Sequence, residues 1–142
     1  MKMTKVFSNG KVLDKNLYEK LQVLDRTTPS FKGCENEFKK NREWWVIVKN
    51  RKIVAYCGSA YSMGVCIFIR AFVDRTMRGK GIQKLLIKKR LLAAKKNSSV
   101  AITYTTIDNY PSVNNLMSCG FKYYNPEYAY AGQNFLYFRK EI

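Results

Sequence analysis

Phe72-Val73-Asp74-Arg75-Thr76-Met77-Arg78-Gly79-Lys80-Gly81-Ile82-Gln83-Lys84-Leu85-Leu86 is the stretch on which the reading of this chain turns. An apolar run ends at Asp74, a turn rich in glycine and cations follows, and an apolar-periodic segment begins at once. Strand, tight turn and helix in that order present backbone N–H groups at the positive end of a helix dipole. Gly79 and Gly81 lack the Cβ that would hold an anion away from the backbone. A diphosphate is the ligand such a loop fits. The spacing is not G-x-x-x-x-G-K-[ST], which excludes a Walker loop. The surroundings also lack the all-parallel alternation of a Rossmann unit.

Working outward on the N-terminal side, Gly64 opens the run VCIFIRAFVD, which ends at Asp74. Lys52 to Ser62 reads as the strand before it, entered by a tight turn at Asn50-Arg51, and Trp44 to Val48 as the strand before that. These three predict an antiparallel meander. Asp14 is placed to cap a helix carrying Leu17, Leu21 and Leu24, and a second short helix is expected around Phe31 to Lys40. On the C-terminal side, Lys80 to Asn97 predicts a helix with Ile82, Leu85, Leu86 and Leu92 on one side and a dense band of Lys and Arg elsewhere. Val100 to Thr106 is a strand by composition, and Pro111 to Cys119 a short helix stopped by Gly120. Phe121 to Tyr130 and Phe135 to Lys140 close the chain as two strands. The order predicts one α+β domain over residues 1–142, with no repeat and no linker.

Composition narrows the chemistry. The 142 residues are 46% hydrophobic, enough for a single core. No apolar run approaches the roughly 20 residues of a membrane helix, and MKMTKVFSNGKVLDKN lacks a signal-peptide core. The expectation is a cytoplasmic protein without a membrane partner. There is no His, which removes Ser-His-Asp and Cys-His nucleophile systems and the usual base near neutral pH. Cys34, Cys57, Cys66 and Cys119 show no metal-ligand spacing, so no metal site is expected. Cys57 and Cys66 could face each other across paired strands, but buried, reduced thiols are the reading for them. Net charge is +16. Between Trp44 and Ile107, Asp74 is the only acid against thirteen bases, a field that attracts polyanions.

Two motifs carry a resemblance. Arg78-Gly79-Lys80-Gly81 resembles the R-x-x-G-x-G/A loop of the GNAT N-acetyltransferases, with Val73 five residues ahead as in V-x-P-x-x-R. Arg75 stands in place of the Pro, and Gln83 where Gly or Ala is usual. Asn109, eleven residues before Gly120-Phe121 and with Ser112 in an Ala position, resembles N-x-x-A-x-x-L-Y-x-x-x-G-F. The likeness covers about 80 residues, from the meander to the C-terminus. It implies the GNAT fold, a mixed, mostly antiparallel sheet flanked by helices. It also implies acetyl-CoA or another acyl-CoA as cofactor and direct transfer of the acyl group to an amine. Cofactor contacts then fall on Phe72, Val73, Arg78, Gly79, Lys80, Gly81, Ile82 and Gln83, with Asn109 and Ser112 along the pantetheine arm. Judged alone, the loop also reads as an ordinary strand-to-helix turn, and Asn109 as an Asx turn before Pro111.

The family's acid, a Tyr four residues before the Gly, is replaced by Leu116. Tyr110, Tyr104, Ser118, Tyr123 and Tyr124 are candidate acids, and Asp74, Asp108 and Glu43 candidate bases. Cys119 reads as a small packed residue, not an acyl carrier. One CoA does not absorb Lys84, Lys88, Lys89, Arg90, Lys95 and Lys96, nor Lys49, Arg51 and Lys52. With Trp44, Trp45, Tyr56, Tyr61, Tyr123, Tyr124, Tyr128 and Tyr130 nearby in sequence, these suit a nucleic acid whose bases stack on aromatics. Three functions stay open: an acetyltransferase of small molecules or proteins, an acyltransferase modifying a DNA base or aminoacyl-tRNA, and a catalytically silent GNAT-fold nucleic-acid-binding protein. The C-terminal half has a faint likeness to Mom-like phage DNA-modifying acyltransferases.

Overall fold

A computed structural model describes residues 1–142. The strands are β1 (Met3–Ser8), β2 (Lys11–Val12), β3 (Arg42–Lys49), β4 (Lys52–Ser62), β5 (Val65–Val73), β6 (Val100–Thr106), β7 (Lys122–Tyr124) and β8 (Phe135–Glu141). The helices are α1 (Lys15–Thr27), α2 (Ile82–Ala94) and α3 (Tyr110–Ser118). One sheet runs in the order β2-β1-β3-β4-β5-β6-β8-β7. β5 and β6 are parallel, while β1–β2, β1–β3, β3–β4, β6–β8 and β7–β8 are antiparallel. This is the mixed, mostly antiparallel α+β architecture expected. The chain forms two compact units, Met1–Ala60 with Ile69–Lys80, and Tyr61–Phe68 with Gly81–Ile142.

In the first unit, Asp14 Oδ1 accepts from the Leu17 N–H at 3.0 Å and starts α1, as its sequence predicts. Leu21 is fully buried against Val6, Trp44, Val46 and Tyr56, with Leu17 and Leu24 packed beside it. Thr28 ends the helix, its N–H and Oγ1 both donating to Leu24 O, and Pro29 follows. The helix expected at Phe31 to Lys40 is absent; only a 3-10 turn at Pro29–Phe31 forms. Gly33 is left-handed and Asn36 Oδ1 takes the Phe38 N–H, so local side-chain bonding displaces helical bonding. Phe38 instead stacks on Trp44 with ring centroids 4.4 Å apart. Trp44 in turn lies against Gly58, where a Cβ would come within 2.7 Å of its ring.

The N-terminal strand β1 was not expected. Its register shifts between Lys5 and Phe7, so neighbouring Val6 and Phe7 are both buried and simple alternation is lost. Asn9-Gly10, both with positive φ, make the two-residue turn into β2.

In the second unit, Cys66, Phe68, Ile87, Leu91, Ala101, Leu116, Phe121 and Phe138 share a core. β7 is shorter than Phe121 to Tyr130 predicts: it ends at Tyr124, just before Pro126, which has no N–H for the ladder. Asn125 turns its side-chain Oδ1 to the Tyr123 hydroxyl. The apolar face assigned to α2 also needs correction. Ile82 and Leu86 are buried, with Ile87, Leu91 and Ala94, but Leu85 and Leu92 are 38% and 64% exposed. All four cysteines are free thiols, Cys57 and Cys66 buried, and no group of acids and cysteines has a metal-binding arrangement. No helix is long and apolar enough to cross a membrane.

Candidate active site

Between β5 and α2 the backbone makes a 3-10 turn at Arg75–Met77 and two left-handed glycines, Gly79 and Gly81, each at φ +76°. Met77 is buried and anchors the turn. Asp74 caps it, its carboxylate accepting from the Thr76 hydroxyl and N–H. Those bonds, the hydroxyl's first, hold the Asp74 carboxyl below its ordinary pKa. Arg78 is exposed and its Nε donates to Val73 O at 3.2 Å, folding the side chain back onto the strand end. Phe72, one residue earlier, stacks on Tyr56 at 5.4 Å.

Neither glycine of the loop faces protein. A Cβ built on Gly79 or Gly81 meets nothing within 4 Å. Gly81 is the N-cap of α2 and supplies no side-chain cap. The first intrahelical bond runs from Leu85 N to Gly81 O, so the N–H groups of Ile82, Gln83 and Lys84 have no helical acceptor. The start of α2 therefore presents positively polarised N–H groups that no helical acceptor takes.

Gln83, which stands where Gly or Ala is usual, has both ends of its side-chain amide engaged. Its Nε2 donates to Ser112 Oγ at 2.9 Å, and its Oε1 accepts from Asn115 Nδ2 at 3.0 Å. The side chain is therefore a strut from α2 to α3. Ser112 is drawn into that strut, and Asn115 is a participant that the sequence reading missed. Asn109 caps α3, its Oδ1 accepting from Ser112 N at 3.3 Å. Asn109, Ser112, Asn115 and Gln83 thus form one hydrogen-bonded set.

The candidate acids and bases separate clearly. Leu116 is buried in the core of the second unit. Tyr110 opens α3 and is 68% exposed; Asp108 beside it is exposed as well. Tyr104 packs edge-on to Phe135 and Tyr130, at 5.0 and 5.8 Å, within an aromatic cluster that includes Tyr137. Burial pushes the Tyr130 hydroxyl, which has no hydrogen-bond partner, well above the ordinary phenol range. Ser118 donates to Asn115 O. Glu43 is engaged by Lys5 and Ser8, and Asp74 by Thr76, so neither is a ready base.

The proposed nucleic-acid contacts are thinned. Arg90 is 3% exposed; its Nε donates to Leu86 O and its guanidinium lies 4.0 Å from the Phe68 ring centre. It cannot reach a surface ligand. Trp44, Trp45 and Tyr56 are fully buried and offer no face for base stacking. Arg70 is also interior, paired with Asp25 at 3.2 Å, and Tyr56 donates to the same carboxylate at 2.9 Å.

This element order, with a glycine–cation loop opening the helix after β5, defines a chain of GNAT architecture. Residues 13–121 match the Acetyltransferase (GNAT) family, and the chain belongs to that family. Similar solved structures include the IAA acetyltransferase of Bacillus cereus, at 11% identity and TM-score 0.74, covering 99% of this chain and 100% of that one. Another is the PaiA N-acetyltransferase of Thermoplasma acidophilum in complex with coenzyme A, at 13% identity and TM-score 0.72, covering 100% of both. A Bacillus subtilis acetyltransferase in complex with CoA aligns at 14% identity and TM-score 0.70, covering 99% of each chain. At these identities the likeness is one of fold. No curated protein sequence matches the chain.

Proposed function

We propose that this chain is an acyl-CoA-dependent N-acyltransferase, with acetyl-CoA the first candidate donor, that moves the acyl group directly to an amine. Residues 1–142 act as one domain, a reading supported by β4 and β5, each of which runs through both compact units. One observation carries the proposal: Gly79 and Gly81 are left-handed, have open space where a Cβ would stand, and lead into an uncapped helix. Relatives of the same fold that hold CoA support the choice of ligand.

Bound acyl-CoA supplies an activated thioester carbonyl. The backbone N–H groups from Gly81 to Lys84 receive the diphosphate, and Arg78 and Lys80 add positive charge beside it. Because Gln83 is held by Ser112 and Asn115, its side chain leaves the loop clear while its N–H stays available. With Asn109 Oδ1 accepting from Ser112 N, its amide nitrogen would be the group that donates to the pantetheine arm. Phe72 and Val73 end β5, where the Val73 backbone would hold the carbonyl side of the thioester. Orientation supplies most of the acceleration. With Asp74 and Glu43 engaged elsewhere, a neutral amine needs no strong base. Tyr110, Tyr104 and Asp108 are left to handle the proton, with Tyr110 the more accessible of the two tyrosines.

The +16 charge bears on the acceptor. A free polyamine is repelled by such a field, whereas an amine borne by a phosphate-rich molecule, such as a DNA base or aminoacyl-tRNA, is attracted. The test is calorimetric titration with acetyl-CoA alongside release of free CoA thiol. Binding in the low-micromolar range that Arg78→Glu with Gly81→Asp abolishes is the expected result. No heat and no thermal stabilisation at millimolar acetyl-CoA would overturn the donor assignment. Binding with no thiol release over a panel of amines, aminoacyl-tRNA and DNA would favour a silent GNAT-fold binding protein.

A further inference from the structure

The outward face of α2 is built from lysine and leucine alone between Lys84 and Leu92, and its geometry points to a docking surface. At about 100° per residue, Lys84, Lys88 and Lys95 fall in one row along the helix. Leu85 and Leu92 form a crest beside them, and Lys89 and Lys96 form a second row beyond the crest. Lys95 keeps helical backbone at the C-cap and Lys96 N bonds back to Ala93 O, so both rows continue past the last full turn. All five lysines are exposed. None joins any of the ion pairs in the protein. No acid occurs from Arg75 to Ile107, so local sequence offers them no counter-charge.

We propose that this face binds the phosphate backbone of duplex DNA, with α2 laid along the major groove. An α-helix with its side chains is about 10–12 Å across, and the major groove of B-form DNA is about 12 Å wide. The two lysine rows then meet the phosphates on the two groove walls, while the leucine crest faces the groove and thymine methyl groups. From Lys84 to Lys95 the rows span about 16 Å, close to five base pairs at about 3.4 Å each. An anionic bilayer fits less well, because two separated leucines without an aromatic give little apolar area to insert. The surface stands whether or not the chain transfers acyl groups, and its test needs no acyl-CoA.

Fluorescence anisotropy of the full chain with a labelled 20-base-pair DNA duplex, from low to physiological salt, measures it. Five phosphate contacts give a log–log salt slope of about −4.5. Lys88→Gln, Lys89→Gln and Lys96→Gln together should bring the slope to about −2, with the melting temperature and acetyl-CoA affinity unchanged. Anionic vesicles containing phosphatidylserine, polyglutamate and a duplex RNA of the same length serve as alternatives. Absence of DNA binding at low salt overturns the proposal. So does a slope that the triple substitution leaves unchanged, or tighter binding to vesicles or polyglutamate. Duplex RNA, whose major groove is too narrow for a helix, should bind more weakly; equal binding overturns the groove assignment.

Discussion

Replacing Gly81 with Ala separates backbone strain from ligand contact. Gly81 sits at φ +76°, where an L-residue costs about 1–2 kcal/mol. Alanine also restricts the unfolded chain, which offsets about 0.4–1 kcal/mol of that. The added Cβ meets no protein atom within 4 Å, so no clash enlarges the loss. A net penalty near 1 kcal/mol lowers the melting temperature of a chain this size by about 3–5 °C. Acetyl-CoA should respond far more strongly, because the methyl group enters the space through which the diphosphate reaches the backbone. Losing one hydrogen bond to a charged group, about 1.5–3 kcal/mol, weakens binding roughly tenfold to a hundredfold. Gly33→Ala is the control: it shares a left-handed φ of +81° and open space, but lies outside the loop. Calorimetry and thermal melts on both variants should show similar melting losses and a selective affinity loss for Gly81→Ala. If Gly81→Ala binds acetyl-CoA as tightly as the parent chain, the loop is not the diphosphate site.

Four further outcomes follow from named contacts. Tyr110→Phe and Tyr104→Phe should each reduce turnover by less than about a hundredfold, since Leu116 fills the family's acid position; a larger loss in either identifies a relocated acid. Asp25→Ala takes the carboxylate from the buried Arg70 guanidinium, which keeps only neutral partners such as the Glu35 carbonyl, and should cost about 3–5 kcal/mol in denaturant unfolding; a loss below 1 kcal/mol would mean the pair is solvated. Gly58→Ala drives a methyl group into the fixed Trp44 ring and should cost about 1–3 kcal/mol, whereas an unchanged unfolding midpoint would show that the ring moves freely. Thr76→Val removes the hydroxyl whose hydrogen bond does most to depress the Asp74 pKa, so carboxyl NMR should find that pKa higher. The depressed pKa stabilises the fold above the unfolded value and loses that contribution as pH falls through the folded one, so acid sensitivity in that window should shrink in the variant; an unmoved Asp74 titration would refute it.

What could be read from sequence follows the range of the forces involved. The meander, α2 and the C-terminal hairpin strand are set by local periodicity and turn residues, and their placement agrees with the structure to within a few residues. β1 escaped because a bulge at Lys5–Phe7 buries two consecutive side chains, which erases the period-two signal. The helix expected at Phe31–Lys40 failed for the converse reason. Its apolar residues are held by long-range aromatic packing, Phe38 on Trp44 and Phe31 on Tyr56, with only the 3-10 turn at Pro29–Phe31 beneath them. On α2, leucine spacing pointed to a buried row, yet Arg90 lies inside while Leu85 and Leu92 lie outside. Identity alone did not rank them, because an arginine over Phe68 with its Nε satisfied by Leu86 is compatible with burial.

The loop and the asparagine motif were visible because each depends on glycine, charge and spacing in a short segment. Gln83 was visible too, but its meaning was not. In sequence it is an oversized residue at a position usually small, whose side chain needs room near the phosphates. In the folded chain Ser112 and Asn115, some thirty residues away, take both ends of its amide. The same bonds draw on Ser112, whose N–H is capped by Asn109, so the departure at one motif is absorbed by the residues of the other. A local motif can show where backbone will meet an anion, but whether a non-matching side chain obstructs it depends on partners that only the tertiary fold brings within hydrogen-bond reach.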